Sequence, residues 1–291
     1  MQTKALIKSM RLRTLPLSLA GVMCGAFIAM SGHGGSWWSV ALVALTAVLL
    51  QILSNLSNEM GDYRSGVDNA DRQGPAYGLA NGLTERQLWR AINVMVVLCA
   101  VSGLAMVVVS GNPWWLLLVG AAAIWAATHY TLGKKPYGYI GLGDLFVFVF
   151  FGLVSVMGSY FVVANTIDVE NWLVAPAVSM GFLSVGVLNI NNMRDMATDK
   201  GFRRTIPLRV GLKGARWYQT ILMILGYFGM IAYIEEPPLF QILSWLSFGG
   251  LAFSLTIVWR NEERKLDSAL PVWVISTFLL AIANICAHYG I

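Results

Sequence analysis

The chain has 291 residues, of which 57% are hydrophobic and only 12% are charged, and its mean hydropathy is +0.64. A soluble core of this length could not bury so much apolar surface, so a soluble globular domain is excluded and the expected surroundings are lipid. The net charge of +5 belongs to loops where anionic lipid and anionic small molecules both favour it, and it does not indicate a nucleic-acid partner.

Nine runs of predominantly apolar residues are each long enough to cross, as helix, a hydrocarbon core of about 30 Å. In chain order they cover residues 14–31, 37–58, 88–110, 113–131, 140–163, 172–192, 215–234, 239–259 and 269–288. The first follows a basic stretch, and we interpret it as an uncleaved helix because eight more spans follow it. The predicted fold class is all-α: a polytopic membrane protein with nine transmembrane helices around a central cavity, in a single domain covering residues 1–291.

The positions of the basic residues predict the orientation of these spans. All 20 Lys and Arg residues lie in or beside the odd-numbered gaps, counted from the N-terminus, and the alternate gaps contain none. Because Lys and Arg accumulate on the cytoplasmic side of membrane proteins, the N-terminus is expected in the cytoplasm and the C-terminus outside. The predicted location is the inner (plasma) membrane.

Two long loops, residues 59–87 and 193–215, lie on the predicted cytoplasmic side and begin alike. Asn58 to Asp62 closes the second span and Asn191 to Asp195 closes the sixth, and both segments read Asn-x-Met-x-Asp. Between the two segments the chain crosses the membrane four times, an even number. The second and sixth spans therefore run in the same direction, and their ends can meet at one depth. This pattern suggests an internal parallel repeat.

Polar residues near these span ends recur at helical spacing. If helix persists, residues 51, 55, 58 and 62 share one face, and so do residues 191, 195 and 199. Polar side chains at lipid depth normally turn toward a bundle interior or an aqueous cavity. We therefore expect both polar faces to line one cavity.

The carboxylates of the two loops predict a metal site at the mouth of that cavity. They are Glu59, Asp62, Asp68, Asp71, Asp195 and Asp199. Carboxylates this close repel one another unless cations join them. An all-oxygen set of Asp, Glu and Asn suits Mg²⁺, which usually takes one or two carboxylates together with substrate phosphates and water.

Basic residues interleave with these acids and suggest a polyanion beside the metal. They are Arg64, Arg72, Lys134, Lys135, Arg194, Lys200, Arg203 and Arg204. Any single one of them also fits an ordinary cytoplasmic loop charge. A metal-rich mouth above an apolar cavity suits a diphosphate on a long apolar tail, because ionisation of an allylic diphosphate needs charge stabilisation and exclusion of water.

Aromatic residues near Tyr130, Tyr137, Tyr139 and 146–151 could face an allylic cation, although interfacial and packing roles explain most of them. Gly21 and Gly25, four residues apart in the first span, are best explained by close helix packing within the chain.

Three segments resemble the UbiA superfamily of intramembrane prenyltransferases, and within it the branch that prenylates 1,4-dihydroxy-2-naphthoate in menaquinone synthesis. They run from Asn55 to Pro75, from Tyr130 to Pro136 and from Asn191 to Asp199. The first differs from the common superfamily motif because Glu59 stands at its second position and Asp68 comes two residues late. Both departures resemble the naphthoate branch.

The resemblance implies roles for particular residues and for two Mg²⁺ ions. The implied catalytic residues are Asn58, Asp62, Lys135 and Asp195. The implied metal ligands are Asn58, Glu59, Asp62, Asp68, Asp71, Asn191, Asp195 and Asp199. The implied diphosphate contacts are Asn55, Arg64, Arg72, Tyr130, Lys134, Lys135, Arg194 and Arg203. Members usually carry Lys-Thr-Leu after the second motif, whereas this chain has Arg204-Thr205-Ile206, which leaves the phosphate contacts of that loop open.

The implied reaction is transfer of an all-trans polyprenyl group from its diphosphate to the naphthoate, with loss of CO₂, giving demethylmenaquinol. Three alternatives remain at this stage. Another aromatic acceptor, namely 4-hydroxybenzoate, homogentisate or haem, would keep the same chemistry. A secondary transporter would carry ionisable residues deep within its spans, for which Asp144 is the main candidate. A non-catalytic membrane scaffold would have no need of the two acidic motifs.

Overall fold

The computed structural model describes residues 2–67, 74–166, 171–232 and 237–291, and within these ranges all regular secondary structure is helical. In chain order the α-helices are α1 (Gln2–Met10), α2 (Leu15–His33), α3 (Trp37–Ser65), α4 (Glu85–Val109), α5 (Leu116–His129), α6 (Gly143–Val147), α7 (Ser159–Ala164), α8 (Asn171–Arg194), α9 (Met196–Asp199), α10 (Ile206–Ile231), α11 (Pro238–Arg260) and α12 (Ala269–His288). A π-helix, Phe148–Gly158, joins α6 to α7. The all-α prediction agrees with the described ranges.

Seven helical stretches among the described residues are long and apolar enough to cross a membrane. Two of the nine predicted spans lie in helices outside that set. Helix α5 has 14 residues, which is about 21 Å of helix and shorter than a hydrocarbon core. Helix α10 breaks at Gly211, where φ is 73°, and carries basic residues in its first half. The count of nine spans and their orientation stay predictions.

The ends of α3 and α8 determine where the two acidic motifs lie. Helix α3 begins after Ser36, whose side chain accepts a hydrogen bond from the Trp38 backbone, and ends at Gly66 in the left-handed region. Helix α3 therefore contains all four residues of the first polar face, from Gln51 to Asp62, and Asp62 lies in its last turn. Helix α8 ends at Arg194, and Asp195 (φ −96°, ψ 10°) separates it from α9. The helix is thus interrupted at one residue of the second motif, although the backbone N–H of Asp195 still donates to the Asn191 carbonyl and that of Asp199 to the Asp195 carbonyl.

Glycines allow three helices to approach one another at the level of the π-helix. A Cβ built at Gly21 would overlap Ser155, and one built at Gly25 would overlap the carbonyl oxygen of Val156. On the opposite side, a Cβ at Gly152 would meet the backbone of α8. The close spacing of Gly21 and Gly25 therefore serves packing within the chain, as predicted.

This packing predicts a difference between two glycines of α2. Gly25→Ala should lower the free energy of unfolding by about 1–3 kcal/mol because its methyl group must displace backbone of the π-helix. Gly32→Ala meets open space and should be neutral or stabilise by up to about 1 kcal/mol. For both variants, the measurement is the fraction of detergent-solubilised protein that stays monodisperse as the temperature is raised. Equal effects would contradict the close approach.

Candidate active site

Asp62 lies at the centre of a buried polar cluster at the end of α3. Its side chain is nearly inaccessible, and its Oδ1 accepts a hydrogen bond of 2.9 Å from the Tyr139 hydroxyl. The same oxygen also accepts from Nη2 of Arg203. The Tyr139 hydroxyl lies 2.6 Å from Oγ of Ser65, one turn after Asp62. Two loops therefore converge on one carboxylate of α3.

Arg203 connects the two acidic motifs. Besides its ion pair with Asp62, its Nε lies 3.5 Å from Oδ1 of Asp199, and its guanidinium carbon lies 4.8 Å from the centre of the Tyr139 ring. Asp199 is buried as well. The carboxylates that follow the second and sixth predicted spans are thus brought to one guanidinium group.

The electrostatics of the cluster fix the charge states of its loop residues. Burial alone would lower the pKa of Arg203, but the carboxylates of Asp62 and Asp199 outweigh it and raise that pKa well above its ordinary value. Burial, assisted by Asp62, raises the pKa of Tyr139 to about 12. At neutral pH Arg203 is therefore charged, and Tyr139 retains its proton. Tyr130, predicted as a diphosphate contact, packs edge-on against Tyr137, with the ring centres 5.4 Å apart.

The other residues of the first motif have different surroundings. Oδ1 of Asn58 lies 3.4 Å from Oγ1 of Thr131, and Gly61 allows this contact because a Cβ there would overlap Thr131. Glu59 is 1% exposed; its Oε1 accepts from the Leu79 backbone at 2.7 Å, while its Oε2 is buried without a hydrogen-bond partner. Asn58 and Glu59 thus present oxygen atoms one turn from Asp62.

Asn55, predicted as a diphosphate contact, makes its hydrogen bonds to the start of the chain. Its amide nitrogen donates to the Met10 carbonyl at 2.9 Å and to Oγ1 of Thr14 at 3.0 Å. Gln51, one turn earlier, donates to Oδ1 of Asn55 at 3.1 Å. These bonds attach α3 to the segment between α1 and α2.

The second motif contains an ion pair between neighbours in sequence. Nε of Arg194 donates to Oδ1 of Asp195 at 2.8 Å, and Nη2 donates to Oδ2 at 2.6 Å. The remaining nitrogen of the Arg194 guanidinium, Nη1, donates to Oδ1 of Asp267 at 2.6 Å. Asp267 precedes α12. Asn191 donates its amide hydrogen to the Val187 carbonyl of its own helix.

Three other predicted basic residues, Lys134, Lys135 and Arg64, lie in more exposed positions. Lys134 and Lys135 are both exposed in the loop after α5. Arg64 is 52% exposed and pairs with Glu85, with its guanidinium 5.0 Å from the Trp89 ring. The predicted residues Asp68, Asp71 and Arg72 lie outside the described residues.

Oxygen donors are present for a hard cation, although the described residues contain no group of three or more His, Cys, Asp or Glu close enough to hold a metal ion. Asp62 and Asp199 share a guanidinium, Glu59 has an unsatisfied buried oxygen, and Asn58 adds an amide oxygen. This chemistry fits Mg²⁺. The ligand set itself stays a prediction.

Sequence reasoning missed two residues of this region and one contact. Arg13 and Asp267 join the second motif through Arg194, but nothing in their local sequence distinguishes them from other loop charges. The sequence distinguishes Tyr139 only as an aromatic residue, and its hydrogen bond to Asp62 spans 77 positions. Only tertiary structure reveals such contacts.

Comparison with known proteins identifies the class. Residues 18–284 match the UbiA prenyltransferase family, and the chain belongs to that family. A 1,4-dihydroxy-2-naphthoate octaprenyltransferase of Escherichia coli is 41% identical over 258 residues, which cover 84% of this chain and 80% of the relative. An enzyme of the same name from Mycobacterium tuberculosis is 37% identical over 235 residues, covering 79% and 78% of the two chains.

Solved structures agree with this fold. A UbiA homologue from Aeropyrum pernix superimposes with a TM-score of 0.71 over 94% of this chain and 96% of its own, at 14% identity. One from Archaeoglobus fulgidus, bound to GPP and Mg²⁺, gives 0.65 over 98% and 99%, at 13% identity. The chain is therefore a multi-pass membrane prenyltransferase, and its similarity is to the 1,4-dihydroxy-2-naphthoate octaprenyltransferases.

The cluster predicts that loss of the Arg203 charge lowers the stability of the protein. Arg203→Gln should lower the free energy of unfolding by about 3 kcal/mol, because it removes the positive charge that two buried carboxylates share. Arg64→Gln breaks an exposed pair and should change stability by less than about 1 kcal/mol. Thermal unfolding of both variants in the same detergent tests this, and similar losses would count against a buried cluster.

Proposed function

We propose that this protein transfers an all-trans polyprenyl group from polyprenyl diphosphate to 1,4-dihydroxy-2-naphthoate in a Mg²⁺-dependent reaction with decarboxylation, and so forms demethylmenaquinol for menaquinone synthesis. The observation that carries the proposal is the meeting of Asp62 and Asp199 at Arg203. It brings together the carboxylates and the positive charge that a metal diphosphate requires. The acceptor is proposed from the names of the relatives.

The proposed site faces the cytoplasm of an inner (plasma) membrane, with the N-terminus on the same side. This orientation is supported by the confinement of Lys and Arg to alternate gaps between the apolar runs. Both acidic motifs and the exposed Lys134 and Lys135 belong to those gaps. A diphosphate could therefore approach from the water, while its apolar tail enters among the helices.

The proposed Mg²⁺ ligands are Asn58, Glu59, Asp62, Asn191, Asp195 and Asp199, together with Asp68 and Asp71. Bound magnesium, two ions in this proposal, would supply positive charge to the diphosphate as its carbon–oxygen bond breaks. Arg203, Lys134 and Lys135 would add their charges to the leaving diphosphate, which departs with the electron pair of that bond. Arg203 is suited to this because it already lies between the two motifs.

The acceptor step requires no base to remove a ring proton. The ring carbon that bears the carboxylate forms the new bond to the allylic carbon, and the bond from the ring carbon to the carboxylate then breaks. CO₂ leaves, its bonding electrons restore the aromatic ring, and diphosphate is the other product. The residues of the site would have to orient the two substrates and exclude water from the allylic cation.

The transporter alternative lacks support from Asp144. A transporter site requires ionisable residues deep within the spans, but Asp144 lies in the first turn of α6. Its Oδ1 accepts a hydrogen bond from the Tyr218 hydroxyl at 3.2 Å. Asp144 is therefore at a helix end and has a hydrogen-bond partner.

Asp62 provides the sharpest test of the metal site. Asp62→Asn keeps the shape of the side chain but removes its charge, and turnover should fall at least about 100-fold. Glu262→Gln, an exposed acid of the loop before α12, should keep normal turnover. Both are measured as prenylated product from the detergent-solubilised protein with Mg²⁺, and again with EDTA. Full turnover of folded Asp62→Asn, or turnover of the native protein in EDTA, would refute a metal-dependent reaction at this site.

The acceptor is tested by competition in membranes that contain the protein, all-trans octaprenyl diphosphate and Mg²⁺. 1,4-Dihydroxy-2-naphthoate, labelled at the carboxyl carbon, should release one labelled CO₂ per prenylated product. 4-Hydroxybenzoate, homogentisate and haem should give little product. Preferred use of one of these three would disprove the naphthoate assignment while leaving the prenyltransferase class intact.

A further inference from the structure

A network of four charged residues connects both ends of the chain to the second acidic motif. Arg194 is 3% exposed and has three of its nitrogens on carboxylate oxygens of Asp195 and Asp267. Asp267 in turn accepts from Nη1 of Arg13 at 3.1 Å and from Nη2 at 3.3 Å. The order in space is Arg13, Asp267, Arg194, Asp195, with alternating charge.

The backbone explains how neighbours in sequence can pair within this network. Adjacent residues of a continuous helix do not face each other. Here α8 ends at Arg194, and Asp195 adopts φ −96° and ψ 10° before α9 begins. At this interruption, both oxygens of the Asp195 carboxylate accept hydrogen bonds from the planar guanidinium of Arg194.

These contacts change the expectation for Arg194. Sequence analysis grouped it with residues that contact diphosphate, but its guanidinium is buried and its three bonded nitrogens are all directed at acids. Its geometry is that of a residue that orients another. A buried arginine held on one side by Asp267 fixes the position of the carboxylate on its other side.

We propose that Asp267 is a positioning residue for the metal site: anchored by Arg13, it holds Arg194 and thereby fixes the Asp195 carboxylate in the orientation that binds the divalent ion. This inference rests on the proposed function, because it assumes that Asp195 is a metal ligand. The ionic contacts of Asp267 are with Arg13 and Arg194, so in this proposal it acts on the metal site only through Arg194. It acts from a different part of the chain, the 3₁₀ segment Glu263–Ser268 that precedes α12.

The test measures metal binding directly, without turnover. The full-length protein in detergent, with inorganic diphosphate, is titrated with Mn²⁺ as a paramagnetic substitute for Mg²⁺, and free Mn²⁺ is read by electron paramagnetic resonance. Loss of a partner that orients a metal ligand typically weakens metal binding 10- to 100-fold. Asp267→Asn should therefore weaken Mn²⁺ binding about 10-fold or more, and Asp267→Glu should recover part of the loss.

Glu262→Gln is the matched control. Glu262 belongs to the same loop, but it is 68% exposed and its ion pair is with Arg216 at 3.5 Å, away from the second motif. Its substitution should leave Mn²⁺ binding unchanged. If Asp267→Asn does not fold, Arg13→Gln removes the outer anchor instead and should weaken binding to a smaller extent.

The outcomes separate this inference from the proposed function. If the native protein binds Mn²⁺ and folded Asp267→Asn binds it equally well, the positioning role is refuted and the metal site stands. If Arg13→Gln is the only folded variant and binds normally, the role is refuted likewise. If the native protein binds no Mn²⁺ with diphosphate, the metal-dependent function fails, and the positioning role fails with it.

Discussion

The pairing of Asp62 and Asp199 with a single guanidinium is the interaction on which the arrangement of this site depends. Two buried carboxylates from different helices repel each other unless positive charge lies between them. Arg203 supplies that charge, and its pKa is raised well above the ordinary value because both acids surround it. The same requirement explains why a metal diphosphate would suit this location: it brings its own cations, and it gives Arg203 an anion to contact.

The helices around this site combine two different surfaces. Large apolar side chains such as Val94, Leu118 and Trp245 are well exposed on the outside, where lipid would cover them. The inner surfaces carry buried polar groups and glycines that bring backbones together, as at Gly25 and the π-helix. The polar cluster lies where α3 and α8 end, next to the apolar part of the bundle.

The sequence predicted the helical class because this depends on local patterns, and it predicted the meeting of the motifs from the even number of apolar runs between them. Apolar runs of sufficient length require helix in lipid, and the spacing from Gln51 to Asp62 survives because α3 is continuous. The interruption after Arg194 was not predictable, since no glycine or proline marks it. Contacts such as Tyr139 with Asp62 join distant positions, and residue patterns contain no information about such pairs. Helix α5 (Leu116–His129) is likewise shorter than the apolar run 113–131 that predicted a span there.

The bridge from Arg13 through Asp267 to Arg194 has a consequence for how the protein is made. Asp267 emerges from the ribosome 254 positions after Arg13 and after both acidic motifs. The second motif therefore acquires its full set of ionic partners only once α11 and the segment that follows it have been made. A truncation before Asp267, or a replacement of the segment that contains Arg13, keeps both motifs in the sequence and removes part of this bridge.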